Sequence, residues 1–215
     1  MCINCFSRLA LLFLLAGGAS GQDAKNPHFE PLFNGKDLTG WEGGGGSYAV
    51  TDGVLGCRTG KSGVLYTARQ FGDCVIRLEY RLPAGGNNGV ALRYPGQGTG
   101  SVDGMCEIQL LDDTHPKYAK LDPRQANGSA YGLVAAKKGH LKPLGEWNTM
   151  EIAVRGHTLR VDLNGVKIME GDVSKVEKKM RKEPYPGLLR TTGHIGLCGH
   201  LDPVEFKSIG VQELK

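Results

Sequence analysis

The segment Cys106–Asp113 carries the residue types that are best suited to chemistry in this chain. Its polar and apolar residues alternate, and side chains of a β-strand point alternately to opposite faces, so Glu107 and Gln109 share one face. Ile108 and Leu110 line the other face. The segment therefore predicts a strand that packs on a core with one face and forms the polar floor of a ligand site with the other.

Two further side chains could act together with Glu107. Arg93 alternates with apolar residues on a second predicted strand, so its guanidinium is expected on the polar face, where it could bind ligand hydroxyls or pair with Glu107 or Glu79. His200 follows Cys198 at a spacing of two residues, which places both on the same face of a third predicted strand. Its imidazole could donate a proton, bind a metal ion, or be exposed to solvent with no functional role.

Acidic residues cluster at the end of the floor strand. If Asp112, Asp113, His115 and Asp202 converge, they could bind a divalent cation, and their oxygen atoms would favour calcium or magnesium. Two consecutive aspartates before a turn also commonly cap backbone N–H groups. The sequence leaves both interpretations open, and it points to no other cofactor.

Short strand-like runs between glycine and asparagine turns recur along the chain, and 33 of its 215 residues are glycine. This pattern predicts an all-β, two-sheet antiparallel sandwich. The Asn164-Gly165 pair predicts a hairpin with a type I′ turn, because that turn needs positive φ angles at both positions. The predicted strands are Ser47–Val50, Val54–Arg58, Gly63–Tyr66, Cys74–Leu82, Gly89–Arg93, Cys106–Leu111, Met150–Arg155, Thr158–Leu163, Val166–Glu170, Ile195–Cys198 and Val204–Glu213.

Two long connections interrupt the strands, from Thr114 to Leu144 and from Ser174 to Thr192. Long loops without secondary structure are unusual in a compact domain and often cover a binding site. The first begins directly after the floor strand, so it is expected to fold over that floor. Tyr131 and Lys137 in this loop could then close over a ligand.

The N-terminus has the pattern of a secretory signal peptide. Arg8 precedes the apolar run Leu9–Ala16, and small residues follow up to Gly21. We expect cleavage after residue 21, export to the periplasm or the cell exterior, and one domain over residues 22–215 with no membrane span; an uncleaved N-terminal anchor is the alternative.

Charge and composition argue against several classes of function. The net charge of +4 is small and evenly mixed with acids, which disfavours binding to nucleic acid or to an anionic membrane. The run Gly43–Gly46 lacks the lysine and the helix of a P-loop, and no G-x-S-x-G elbow of a serine hydrolase occurs.

Four cysteines remain after removal of the predicted signal peptide. In an exported protein they could form one or two disulfides, with three possible pairings, or they could pack as buried free thiols. Their spacing lacks the C-x-x-C pairs of structural zinc sites. These cysteines are Cys57, Cys74, Cys106 and Cys198.

Six separated motifs occur together in one order. They are Phe33–Trp41, Leu82–Gly89, Glu107–Gln109, Gly145–Asn148, Leu163–Gly165 and Ile195–Leu197 with Asp202–Phe206. Together they closely resemble the 3-keto-disaccharide hydrolase domain family, from about Phe29 to the C-terminus. The chain departs from the family pattern at Cys74, Cys106 and Cys198, and Gly199-His200-Leu201 stands where Asp-His-Gly is expected.

The resemblance implies a concanavalin A-like jelly roll with a carbohydrate ligand on its concave face, and it implies action on oxidised sugars. A keto group at C3 of a glycoside acidifies the C2 proton, so the bond at C1 can break by β-elimination, with water adding afterwards. Such a reaction needs a base, an acid and a partner for the enolate oxygen. We expect Glu107 to be the base, with Arg93 and His200 assisting. The expected substrate-binding residues are Gln109, Asn88, Tyr131, Lys137 and Glu79.

Two other interpretations remain open. The spacing E-x-Q-x-x-D from Glu107 to Asp112 is similar to the catalytic strand of retaining glucanases, which need two carboxyl groups about 5–5.5 Å apart. The chain could also be a carbohydrate-binding module without catalytic activity.

Overall fold

The structure is a computed structural model, and it describes residues 28–178, 180 and 184–215. The predicted signal peptide over residues 1–21 lies outside this part of the chain. Within the described ranges, no helix has the length and the apolar character needed to cross a membrane.

Strands dominate the described residues, and the remaining regular structure consists of short 3-10 turns. The strands are β1 (Glu30–Pro31), β2 (Trp41–Gly43), β3 (Tyr48–Thr51), β4 (Val54–Cys57), β5 (Ser62–Phe71), β6 (Cys74–Arg81), β7 (Asn87–Tyr94), β8 (Cys106–Leu111), β9 (Asn148–Arg155), β10 (Thr158–Leu163), β11 (Val166–Asp172), β12 (Gly193–His200) and β13 (Glu205–Glu213). The 3-10 turns are Gly44–Gly46, Pro116–Tyr118, Pro123–Gln125 and Val173–Lys175.

The strands form two antiparallel sheets. The larger sheet has the order β11-β10-β9-β6-β13-β4-β3, with β1 added to β13. The smaller sheet has the order β2-β5-β12-β7-β8. The predicted fold class, an all-β two-sheet jelly-roll sandwich, is confirmed.

The core lies between the two sheets and follows the two-residue period of the strands. Buried and half-buried residues alternate along the whole of β6. On β8, Ile108 and Leu110 belong to the main hydrophobic cluster and have no exposed surface. Their alternation leaves Glu107 and Gln109 on the outward face of the smaller sheet, as the sequence predicts.

Each predicted strand is present in the structure, with ends shifted by a few residues. The Asn164-Gly165 hairpin is confirmed, since the two residues have φ angles of 52° and 82°. Two strands were not predicted: Glu30–Pro31 and Trp41–Gly43 have two and three residues. Such short segments carry no alternation signal, and they become strands only through pairing with β13 and β5.

The first long connection pairs with the free edge of β8, whereas the sequence predicted that it folds over the polar face of this strand. The Gly128 N–H donates to the Gln109 carbonyl at 2.7 Å, and the Gln109 N–H donates to the Ser129 carbonyl at 3.0 Å. The Tyr131 N–H donates to the Glu107 carbonyl at 2.8 Å. This backbone ladder extends the edge of the smaller sheet and fixes the loop beside the floor strand.

The four cysteines of the described chain, Cys57, Cys74, Cys106 and Cys198, are free and buried. Of the two alternatives left open by the sequence, the structure therefore shows buried free thiols and not disulfides.

Candidate active site

The carboxylate of Glu107 lies in a narrow space on the outward face of β8. Glu107 is only 5% exposed. A Cβ atom at Gly89 on β7 would stand 1.8 Å from Glu107 Oε1, so the carboxylate occupies the room that the missing side chain leaves. Among the described residues, Oε1 has no well-aligned hydrogen-bond donor. A buried oxygen in this state can accept a hydrogen bond from a ligand.

His200 forms an ion pair with Glu107 when its imidazole is protonated. The distance between His200 Nε2 and Glu107 Oε1 is 3.5 Å, and the exposed fractions of the two side chains are 47% and 6%. The polar contact with Glu107 raises the pKa of the His200 imidazole, although partial burial acts in the opposite direction. The pair therefore places a buried carboxylate beneath an imidazole that faces solvent.

The raised pKa of His200 gives a pH prediction. We expect the pKa of His200 to lie above the ordinary value of about 6.5 and to fall after Glu107→Gln, because the amide cannot stabilise the imidazolium charge. The stabilisation from this pair is present below the pKa of the unfolded chain and is lost as pH rises through the raised pKa. An NMR titration of the His200 ring proton measures the shift, and a titration unchanged by the substitution contradicts the pairing.

Gln109 and Tyr131 also lie beside Glu107. Gln109 is 4% exposed, and its Nε2 donates to Asn87 Oδ1 at 2.7 Å. The Tyr131 hydroxyl accepts from Gln125 Nε2 at 2.9 Å, while its backbone is bound to Glu107. The fold thus brings together the side chains of Glu107, His200 and Gln109, and it attaches Tyr131 to Glu107 through the backbone.

Sequence reasoning missed the roles of Asn87 and Gly89. Asn87 orients the Gln109 amide, and Gly89 leaves the space for the Glu107 carboxylate. Both belong to the motif Leu82–Gly89, which supplied the signal, but only the register between β7 and β8 shows which residue faces which.

Arg93 does not reach Glu107, which corrects the sequence prediction. Its backbone has a φ of 51°, and it interrupts the alternation of β7, so its neighbour Tyr94 packs with Ala91 on the outward face. The guanidinium donates to Asp73 Oδ1 at 2.8 Å and to the carbonyls of Gly156 and Arg190 at 2.8 and 2.7 Å. Arg93 therefore joins three loops instead of assisting at the carboxylate.

Three predicted substrate-binding residues also lie apart from Glu107. Glu79 is on β6 of the larger sheet and accepts a hydrogen bond from Ser208 Oγ at 2.9 Å. Asn88 is fully buried and donates to the Tyr48 hydroxyl at 3.0 Å, because alternation along β7 turns it inward. Lys137 is exposed, and its backbone is bound to β11 in the larger sheet.

The two aspartates after β8 act as backbone caps. Asp112 Oδ2 accepts from the Gly85 N–H at 2.8 Å, and Oδ1 accepts from Thr114 Oγ1 at 2.6 Å. Asp113 Oδ2 accepts from the Asn127 N–H at 3.1 Å. In the part of the chain that the structure describes, no group of three or more His, Cys, Asp or Glu side chains could hold a metal ion. The capping interpretation therefore accounts for both residues.

Comparison with known proteins identifies the family. Residues 28–212 match the model of the 3-keto-α-glucoside-1,2-lyase-like domain. The chain belongs to this family. The family resemblance inferred from the six motifs is confirmed.

Relatives of this 3-keto-α-glucoside-1,2-lyase-like domain carry related names. A 3-keto-disaccharide hydrolase of Bacteroides thetaiotaomicron is 27% identical over 227 residues, covering 85% of this chain and 77% of the relative. The crystal structure of a Parabacteroides distasonis protein that was assigned as a glycosyl hydrolase is 30% identical with a TM-score of 0.75, covering 87% of this chain and 100% of that one.

A more distant likeness concerns the fold alone. The carbohydrate-binding module CBM66 of Bacillus subtilis has a TM-score of 0.53 at 11% identity, covering 81% of this chain and 96% of the module. The domain thus shares its sandwich architecture with proteins of very different sequence.

Proposed function

We propose that this domain cleaves the glycosidic bond of 3-keto-glycosides by elimination followed by addition of water. The observation that carries the proposal is the buried Glu107 carboxylate, whose Oε1 lacks a well-aligned donor among the described residues and lies 3.5 Å from His200 Nε2. Membership of the lyase-like family and the name of the Bacteroides thetaiotaomicron relative support the choice of substrate class.

In the first step, Glu107 is the base. It takes the proton from C2 of the sugar, and the electrons of that C–H bond form an enolate with the C3 carbonyl. The carbonyl then re-forms, a C1=C2 double bond appears, and the bond between C1 and the glycosidic oxygen breaks. His200 in its charged form gives a proton to the departing oxygen, and the contact with Glu107, which raises the pKa of His200, favours that form.

In the second step, water adds across the C1=C2 bond. Neutral His200 takes a proton from the water as the oxygen bonds to C1, and protonated Glu107 returns a proton to C2. One water is consumed, one glycosidic bond is cleaved, and both side chains recover their starting states. The same two groups therefore serve both directions of proton transfer.

Gln109 is suited to holding the sugar. An amide NH2 group has two donors, and one of those on Gln109 is used by Asn87 at 2.7 Å. The second donor is available for a sugar hydroxyl or for the enolate oxygen. Because Asn87 fixes the amide orientation, the donor needs little reorganisation when charge develops.

The geometry favours elimination over an ordinary retaining mechanism. A retaining glycosidase needs a second carboxyl group about 5–5.5 Å from the first. The E-x-Q-x-x-D motif offers Asp112 for this role, but its oxygens already accept hydrogen bonds from Gly85 and Thr114.

A kinetic isotope experiment tests the proposal. A 3-keto-disaccharide with deuterium at C2 should be cleaved with a primary isotope effect on kcat/KM, because the C2–H bond breaks in the elimination, and the unoxidised parent disaccharide should not be cleaved. Cleavage of the parent without an isotope effect at C2 would support ordinary hydrolysis. Binding of both sugars without turnover would indicate a non-catalytic module, and either result would overturn the proposal.

A further inference from the structure

The thiol of Cys198 lies beside the Glu107 carboxylate. Leu197 of β12 pairs with Val90 of β7, so Cys198 and Gly89 are the next residues opposite each other along these antiparallel strands. Side chains at opposite positions have Cβ atoms about 4.5–5.5 Å apart. Because Glu107 Oε1 occupies the room of the missing Gly89 side chain, the carboxylate stands next to the thiol on the outward face of the smaller sheet.

The connection between β7 and β8 closes over this thiol. Cys198 is only 4% exposed, although it lies on the outward face. A Cβ atom at Gly100 in the connection would stand 2.5 Å from Cys198 Sγ and 2.9 Å from the Cβ of Ala91. Ala91 in turn pairs with Glu107 across the two strands. The backbone at Gly100 therefore covers the sulfur from the solvent side and leaves it in contact with the carboxylate.

Cys198 is a neutral thiol in this position. Burial raises its pKa well above the ordinary value, and the negative charge of Glu107 and a polar contact between the two side chains add to the rise. A neutral thiol has a weak S–H donor, and a carboxylate can only accept. Glu107 Oε1 has no well-aligned donor among the described residues, so the contact is loose without substrate. Catalytic contacts of this kind commonly tighten when substrate binds.

We propose that Cys198 is a positioning residue whose thiol holds the Glu107 carboxylate toward the C2 proton of the substrate. The inference rests on the proposed function, in which Glu107 is the base. His200 contacts the carboxylate from the solvent side, and Cys198 contacts it from the buried side. The two side chains of β12 thus restrict the carboxylate from both sides. A small displacement of a base is enough to lower the rate of proton transfer.

Alanine and serine substitutions separate positioning from packing. Cys198→Ala removes the donor, whereas Cys198→Ser keeps one at nearly the same place. We expect kcat for a 3-keto-disaccharide to fall about tenfold in Cys198→Ala, with KM within about twofold of wild type, and to recover to within about threefold of wild type in Cys198→Ser. An unchanged kcat in Cys198→Ala, or a lower kcat in Cys198→Ser than in Cys198→Ala, would overturn the proposal.

Cys106→Ala is the matched control. Cys106 is also a buried thiol, it has no exposed surface, and it precedes Glu107 in the chain, but it belongs to the main core cluster on the other face of β8. Its truncation leaves a small cavity, so Tm should fall while kcat stays within about twofold of wild type. Equal losses of kcat in Cys106→Ala and Cys198→Ala would show that any cavity at this strand impairs the enzyme, and the positioning role would be rejected.

The S–H stretching band of Cys198 gives a readout that needs no turnover. The infrared difference between wild type and Cys198→Ala isolates this band, and the same difference is recorded in the Glu107→Gln background. The band should move to higher wavenumber in Glu107→Gln, because a neutral amide is a weaker acceptor than a carboxylate. An identical band in both backgrounds would overturn the inference. If wild type does not cleave the 3-keto-disaccharide, the proposed function fails, whereas a shifted band still shows that the thiol holds the Glu107 side chain.

Discussion

Glu107→Gln should lower kcat for a 3-keto-disaccharide by about a thousandfold, because an amide cannot take the proton from C2. Glutamine has nearly the same size as glutamate, so the 5% exposed site should keep its packing and the protein should stay folded. Steady-state kinetics together with a thermal unfolding curve measure both effects. Full turnover by a folded Glu107→Gln protein would show that another group is the base.

Glu79→Gln is the matched control for this substitution. Glu79 is also a strand glutamate, but it lies on the larger sheet, and its carboxylate accepts a hydrogen bond from Ser208. We expect kcat and KM of this variant to remain within about twofold of wild type. A large loss of kcat in Glu79→Gln would indicate that the substrate lies on the other face of the sandwich.

Two glycine substitutions test whether the position of the Glu107 carboxylate matters, without changing the carboxylate itself. Gly89→Ala introduces a Cβ that would stand 1.8 Å from Glu107 Oε1, so the carboxylate must move and kcat should fall. In Gly56→Ala, the nearest atom to the new Cβ is 3.9 Å away, at Glu205, and activity should be retained. Equal activity in the two variants would mean that the position of Glu107 is not critical.

The second large effect concerns stability. Arg93→Met should lower the free energy of unfolding by about 3 kcal/mol, because it removes a buried guanidinium and leaves backbone carbonyls without their donor. The Arg93 side chain is 3% exposed, and it binds Asp73 and the carbonyls of Gly156 and Arg190. Denaturant unfolding measures the loss. Below the transition, kcat should stay within about twofold of wild type, since Arg93 does not contact Glu107.

Arg77→Met is the control for Arg93→Met. It removes an arginine that also forms an ion pair but is not buried, so the difference in unfolding free energy reports the effect of burial. Arg77 pairs with Glu151 at 2.7 Å, but the side chains are 39% and 38% exposed. An ion pair in such a position contributes little, so the loss should be below about 1 kcal/mol. A similar loss in Arg77→Met and Arg93→Met would show that the three-loop contact of Arg93 has no special weight. A large loss of kcat in a folded Arg93→Met protein would restore the catalytic interpretation.

Local sequence patterns determined most of the secondary structure and the polarity of the floor strand. Alternation along β8 separates Glu107 and Gln109 from Ile108 and Leu110, because successive side chains of a strand point to opposite faces. The Asn164-Gly165 turn follows from the φ angles that these residues tolerate. Six ordered motifs also identified the family, which the comparison of residues 28–212 confirms.

Tertiary structure alone decided which polar residues meet. The interruption of β7 at Arg93 turns that side chain away from the floor, and a strict two-residue period cannot show it. Glu79 shares the alternation of a site residue but lies in the other sheet, because strand order depends on pairings between distant segments. The same non-local register places Gly89 beside Glu107 and brings His200 within 3.5 Å of it. A one-dimensional pattern records the face of each side chain, whereas the neighbour across the sheet is fixed only when the strands pair.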